Sequence, residues 1–341
     1  MQRLKVGLIG CGYMGWFHAR VYHESAAADL VAVADLNNSI EAKVKTSFNC
    51  AFFNDYEVML KSADLDAVDI CLPDEMHVQP ALAAARAGKH MLIEKPMATS
   101  VQDCLKINKA CESAGVRYMV AHLLRFDPGY RRLYNAVKNG EVGEVIHLSA
   151  ERKNPRLIAE RLQGRASMLF YAGIHDIDLL QWISRKRITR VYAQRVSKLN
   201  KAWNTDDCIF ILANLGEDTI ANIEYSWVLP KNFPAKLKAR MEVYGSKAAM
   251  FLNRPNRGVE IFKEKDADLP YELTDTIHWP DLDGRIVGDL KYQIEHFIDA
   301  LQTGGDFYMP GAEAISAVNV VEAIVRSYES GSPVVVQELR V

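Results

Sequence analysis

Six residues near the start, Gly10-Cys11-Gly12-Tyr13-Met14-Gly15, carry the spacing G-x-G-x-x-G, and an acid, Asp35, follows Gly15 at the distance of about 20 positions that a dinucleotide site requires. The spacing alone is weak, and its surroundings strengthen it. Val6-Gly7-Leu8-Ile9 ahead of it reads as a strand and the segment from Tyr13 as a helix, so the loop joins a strand end to a helix start. In such a loop Gly10 permits the tight turn and Gly12 lets the backbone approach a pyrophosphate. Gly15 lets helix and strand pack closely, and the helix N-terminus favours the phosphate charge. Tyr13 and Met14 lie within the same cofactor-binding loop. Asp35 is suited to accept hydrogen bonds from ribose hydroxyls and to repel a 2′-phosphate. No Arg or Lys follows it before Lys43, so NAD is expected in preference to NADP. The bland alternative is a glycine-rich turn with no ligand, which the flanking pattern disfavours.

The elements that must position this loop alternate along the first third of the chain. Strands are expected at 4–9, 30–34, 67–72, 90–93 and 117–121. Helices are expected at 13–24, from a Ser39 cap to 48, from an Asp55 cap to 61, at 77–87 closed by Gly88, and at 101–114 ended by Gly115. Continuous apolar strands alternating with helices imply a doubly wound parallel sheet covered on both faces. The pattern changes after about residue 123. A helix at 128–138 leads into strand-like segments at 145–152, 188–196, 207–213, 219–225 and 236–244, which suit an antiparallel sheet with one solvated face. One helix, 173–183, interrupts them, and helices at 289–301 and 312–328 close the chain. The expected domains are 1–122, binding the dinucleotide, and 123–341, an α+β domain for substrate and oligomerisation. The closing helices are free to pack back on the first domain.

Composition narrows the function classes. The chain has 341 residues, more than one core usually serves, with 49% hydrophobic and 25% charged residues. A formal net charge of −2 gives no field that would draw it to nucleic acid or anionic lipid. The six cysteines (11, 50, 71, 104, 111 and 208) show no metal-ligand spacing, so a reduced protein without structural metal is expected. No signal peptide is legible and no run approaches the roughly 20 apolar residues of a membrane span, which makes the cytoplasm the expected compartment.

Three further stretches carry a resemblance: Leu72-Pro73-Asp74-Glu75-Met76-His77, Ala87-Gly88-Lys89-His90-Met91-Leu92-Ile93-Glu94-Lys95-Pro96, and Gly173-Ile174-His175-Asp176-Ile177-Asp178. With the glycine loop they resemble the Gfo/Idh/MocA oxidoreductases, named for glucose–fructose oxidoreductase, inositol dehydrogenase and a rhizopine catabolism protein. The resemblance spans essentially the whole chain, and Glu-Lys-Pro is its most specific part. It implies a Rossmann domain followed by a domain built on a large open, mainly antiparallel sheet that often mediates oligomers, here a homodimer or homotetramer.

By the same resemblance Lys95 lies beside the nicotinamide and the substrate hydroxyl, where it helps hold a developing alkoxide. The bond before its proline is often cis. Pro73 and His77 belong to the turn that lines the cofactor, where His77 caps or orients its helix, and Glu94 reaches the nicotinamide ribose. Leu72 stands where the family usually has Thr, removing a hydroxyl contact. His175 contacts the substrate hydroxyl as acid or base. An Asp usually precedes it by four residues, but here that position is Tyr171, a phenol able to donate or relay a proton without the carboxylate's charge. Asp178 either orients His175 or is a helix-start acid favoured by the dipole. Arg125 and Asp127 either line the cleft or form structural ion pairs. The basic set Arg152, Lys153, Arg156, Arg161 and Arg165 either recognises a phosphate or carboxylate or forms a solvated face. Trp16 either walls the nicotinamide pocket or packs between domains.

The reading is an NAD(P)-dependent dehydrogenase acting on CH–OH donors, with NAD favoured. It moves a hydride between NAD and a ring hydroxyl of a cyclic polyol, sugar or sugar derivative. Lys95, His175 and Tyr171 are the catalytic candidates, and Arg125 joins them in the substrate set. Two rivals stand beside it: a lyase or glycosidase that uses NAD without net redox change, and a dinucleotide-sensing regulator without catalysis.

Overall fold

The computed structural model describes residues 2–233, 235, 237–254, 260–262, 271–273 and 276–339. The chain divides into two compact units, Met1–Phe126 with Ile277–Val318, and Asp127–Thr276 with Asn319–Arg340. No helix among the described residues is long and apolar enough to cross a membrane.

The first unit is built on β1 (Leu4–Ile9), α1 (Tyr13–Glu24), β2 (Ala28–Ala34), α2 (Glu41–Phe48), β3 (Ala51–Phe53), α3 (Tyr56–Ser62), β4 (Ala67–Ile70), α4 (Val78–Arg86), β5 (His90–Glu94), α5 (Val101–Ala114) and β6 (Tyr118–Ala121). The strands form one parallel sheet in the order β3-β2-β1-β4-β5-β6, the doubly wound Rossmann order. β4 and β6 are buried along their whole length, as two covered faces demand. Local chemistry sets the helix ends. Asp55 caps α3 by accepting from the Glu57 amide at 2.7 Å. Ser100 caps α5 by accepting from the Asp103 amide, and α5 ends at Gly115 with φ +64°. Two helix starts differ from the sequence expectation. Asn37, not Ser39, caps a short 3₁₀ turn over 38–40, and α2 begins at Glu41. A second 3₁₀ turn occupies 74–76, so α4 begins after His77.

The second unit contributes α6 (Pro128–Lys138), β7 (Val145–Pro155), α7 (Leu157–Leu162), α8 (Ile174–Ser184), β8 (Ile188–Val196), β9 (Cys208–Leu215), β10 (Thr219–Leu229), β11 (Lys238–Gly245) and β12 (Ala249–Arg254). The residues before Lys238 in the expected strand 236–244 include Lys236, which lies outside the described residues. These strands and the two-residue strand Val334–Val335 make one seven-stranded sheet, mixed but mostly antiparallel, with β7 and β10 as its parallel pair. Alternation along β9 buries Ile209, Ile211 and Ala213 and exposes Phe210 and Leu212. Of the closing helices, α9 (Asp289–Thr303) belongs to the first unit, and α10 (Gly311–Ser330) runs from the first unit into the second.

Candidate functional site

The glycine loop has the shape the sequence implied. Gly10 adopts φ +89°, and a Cβ there would lie 2.6 Å from the Cys71 carbonyl oxygen. At Gly15 a Cβ would stand 2.0 Å from the Gly10 oxygen, so any side chain would push α1 off the loop. Gly12 faces open space and is the N-cap of α1 without a side-chain capping bond. The first amides of α1 therefore remain donors for an anion. Tyr13 is exposed, Met14 is half-buried, and Tyr13 stacks edge-on with Phe17 and Trp279 of its own unit. Asp35 directly follows β2, and its two oxygens accept from the Cys11 amide and the Asn37 amide, each at 2.8 Å. The acid is thus tied directly to the loop. Burial and the Asp35 charge push the Cys11 thiol up to about 12, so it stays protonated. Lys43 is held over the Trp16 ring at 4.0 Å, and Trp16 packs on Phe48 of α2. Trp16 therefore joins α1 to α2.

At the end of β5 the Glu94 carboxylate folds back on its own chain. One oxygen accepts from the Lys95 amide at 3.0 Å, and the other lies 3.3 Å from His18 Nε2. His18 Nδ1 meets Asp69 at 2.8 Å, and the Cys71 thiol donates to the other Asp69 oxygen at 3.3 Å. His18 and Asp69 are fully buried and Glu94 nearly so. Burial by itself disfavours an imidazolium, but the charges and hydrogen bonds of Cys71 and Asp69 together outweigh it and hold His18 well above the ordinary histidine range. Burial would likewise raise Glu94, yet the His18 hydrogen bond and the His18 and Lys95 charges bring it below the usual carboxylate value. Lys95 emerges half-buried from this anionic background, before a cis bond to Pro96. His77, fully buried, lies between the Leu72 and Pro96 carbonyl oxygens at 2.8 Å each and so ties the Pro73 turn to the Lys95 turn. Asp74, on that turn, has a buried oxygen without a hydrogen-bond partner. Burial raises its carboxyl, with the charges of Lys95 and His77 pulling the other way. An orphaned acceptor near Lys95, uncapped helix amides and an open Gly12 together fit a dinucleotide with a polar ring end.

In the second unit a π-turn over 169–173 leads directly into α8. Such turns occur frequently at functional sites. Tyr225 donates to the Gly173 carbonyl at 2.9 Å, its ring too close for a larger residue than glycine to fit easily. Between Met168 and Ser184, only Phe170, Tyr171 and His175 reach the surface; every other residue is buried. Asp176, next to His175, accepts two hydrogen bonds from Arg152 at 2.7 and 2.8 Å, both side chains buried. Tyr171 accepts from an Arg161 guanidinium nitrogen at 2.8 Å.

Other candidates take structural places. Arg125 is fully buried, donates to the Tyr308 carbonyl at 2.6 Å and pairs with Glu313 at 2.5 Å. This corrects its assignment to the substrate set: a guanidinium enclosed in an ion pair does not face a ligand. Asp127 caps α6 and pairs with Arg254. Asp178 is buried on α8. The His18–Asp69 pair went unread in the sequence, although a charge inside the apolar run Ala67-Val68-Asp69-Ile70 is a signal that a buried partner exists.

The chain matches the model of the oxidoreductase family, NAD-binding Rossmann fold, over residues 4–122 and that of the GFO/IDH/MocA C-terminal domain over residues 130–251. It is 26% identical over 239 residues to the 2,7-anhydro-N-acetylneuraminate hydratase of Escherichia coli, covering 68% of this chain and 63% of the hydratase. It is 29% identical over 202 residues to the inositol 2-dehydrogenase of Salmonella typhimurium, covering 58% of this chain and 60% of that enzyme. Each match spans less than two thirds of the relative's length. The crystal structure of scyllo-inositol dehydrogenase from Lactobacillus casei, with bound NAD(H) and scyllo-inositol, superposes with a TM-score of 0.84 at 19% identity, covering 98% of this chain and 99% of that one. The likeness is one of fold. With an NAD-binding Rossmann domain and the matching C-terminal domain, the chain belongs to the Gfo/Idh/MocA oxidoreductase family.

Proposed function

We propose that the protein moves a hydride between NAD and a ring hydroxyl of a cyclic polyol, sugar or sugar derivative. The observation that carries this reading is Lys95, half-exposed at the end of β5 and backed by Glu94, His18 and Asp69. NAD, held by the Gly10–Gly15 loop, Asp35 and the Pro73 turn, supplies the redox chemistry. Lys95 holds the substrate oxygen and stabilises its charge as the proton leaves. His175 and Tyr171 are the second unit's candidates for holding or relaying that proton. The hydratase relative supports a second reading, in which the cofactor ends each cycle as it began. Tyr171, a phenol where the family resemblance expects a carboxylate, keeps that reading alive.

Incubating purified protein with NAD and a panel of inositols, aldoses and sugar derivatives, while following NADH absorbance, separates the two. NADH that accumulates in proportion to product supports the dehydrogenase. Product formed without NADH rejects net redox chemistry.

We also assign the open face of the seven-stranded sheet to self-association. Cross-strand register places Tyr192, Phe210, Leu212, His147, Tyr244 and Phe251 on one face, and Phe210, Leu212 and Phe251 are each more than half exposed. Sedimentation should show a dimer or larger, and Phe210→Glu with Leu212→Lys should yield monomer. A wild-type monomer would reject this assignment.

A further inference from the structure

We propose that the substrate carries an anionic group, a carboxylate or a phosphate, and that Arg161, Arg165 and the Tyr171 hydroxyl bind it beside His175. The inference rests on the dehydrogenase reading for the reacting hydroxyl, but the anion subsite stands on its own geometry.

The structure sorts the five basic residues that precede the His175 helix. Arg152 is consumed by Asp176. Lys153 pairs with Glu224 at 2.7 Å and Glu151 at 3.4 Å. Arg156 shares Glu160 with Lys231, at 3.5 and 2.6 Å. Arg161 and Arg165 have no carboxylate within ion-pair distance among the described residues, and Glu160, the acid of α7, already serves two cations. Two guanidinium charges are therefore left unmatched on one short stretch.

Their placement is specific. Past the end of α7 the chain turns sharply through Gln163 at φ +48° and Gly164 at φ +77°. Arg165 then folds back, donating to the Leu162 and Arg161 carbonyl oxygens at 3.1 and 2.9 Å. Arg161 extends to the Tyr171 hydroxyl. Tyr171 and His175 are in turn two of the three residues that the buried 168–184 segment shows to solvent. The Arg161 guanidinium thus lies on the exposed side of the π-turn, and Arg165 is folded over the end of α7, against the Arg161 backbone.

The chemistry of this set selects its ligand. A guanidinium offers up to five donors and no acceptor, and a phenol accepting from one donates with its own O–H. A neutral sugar face presents donors as well as acceptors and would leave its own hydroxyl protons unmatched here. Carboxylate or phosphate oxygens accept only, match the guanidinium fork in two-point contacts, and neutralise the surplus charge.

The test uses full-length protein saturated with NAD, titrated calorimetrically with acidic sugars and their neutral parents: uronates and aldonates in one arm, sugar phosphates in the other. At least one acid should bind about tenfold more tightly than its parent, with the preference shrinking as salt rises. Arg161→Gln and Arg165→Gln, both exposed and expected to melt as wild type does, should erase the preference while leaving the neutral parent's affinity unchanged. The arm that responds identifies carboxylate or phosphate. Acids binding no better than their parents throughout, or a preference that survives both substitutions together, would overturn the proposal. An acid that binds through Arg161 yet gives no NADH supports the subsite and counts against the dehydrogenase reading instead.

Discussion

Behind Lys95 the first unit buries two carboxylates, Asp69 and Glu94, around one imidazole; beside His175 the second unit ties a buried carboxylate, Asp176, to a buried guanidinium, with Asp178 also buried on the same helix. The first arrangement leaves a negative surplus once His18 is protonated, and its Glu94 accepts from the Lys95 amide. In the second, Arg152 neutralises Asp176. It fixes the helix start and leaves the local charge to Arg161 and Arg165 on the surface. The supports differ as well. Lys95 follows a strand closed on both sides by parallel neighbours, whereas His175 follows a π-turn gripped by Tyr225. Buried charge in the first unit anchors the turn that carries Lys95; in the second it fixes the helix start that carries His175.

If that contrast is right, the largest effect on folding belongs to Arg152. Arg152→Ala strands Asp176 in the core and should cost about 3–5 kcal/mol in denaturant unfolding. Replacing both partners with apolar residues of similar volume should recover much of it. A loss near zero would mean that the pair does not locate the helix.

The His18 network should respond to pH instead. His18→Gln removes a charged hydrogen-bond partner of Asp69 and should cost about 1–3 kcal/mol. Because the folded-state value of His18 is raised, its contribution is fully present below about pH 6.5 and is lost as pH rises through that raised value. The melting-temperature gap between wild type and His18→Gln should therefore narrow on the alkaline side. Glu94 has the opposite sign. Its depressed value makes its contribution present above about 4.5 and lost as pH falls through the folded-state value. A wild-type to His18→Gln gap that stays constant from pH 6 to 10 would remove the electrostatic half of the comparison.

The smallest expected effect sharpens the cofactor side. Asp35→Asn weakens the acceptor for ribose hydroxyls and should reduce NAD affinity about tenfold while improving NADP relative to it, read by titration of each dinucleotide. Unchanged selectivity would show that Asp35 serves the loop alone, through the Cys11 and Asn37 amides.

Much of this was legible in the chain because periodicity and punctuation agree. The bounds of α1, α5, α6 and β8 follow from apolar spacing with Gly115, Pro128 and similar markers at their ends. The three-residue β3, the short α7 and β12 escaped because fragments of that size carry too little periodicity to stand out from a loop. Glu94-Lys95-Pro96 could be placed at a strand's end from pattern alone. What lies behind it could not, since His18, Asp69 and Glu94 come together only through sheet order. Arg125 shows the reverse limit: its residue type suits a pocket wall, and only packing reveals the buried ion pair with Glu313 that consumes it.

The most direct measurement compares wild type and Lys95→Ala for NAD affinity, by quenching of intrinsic fluorescence, and for turnover of the substrate found in the panel. The account predicts NAD binding within about twofold of wild type and turnover reduced about a hundredfold to ten-thousandfold. Turnover that survives the substitution, with NAD still bound, would contradict the role of Lys95 in holding and stabilising the substrate oxygen.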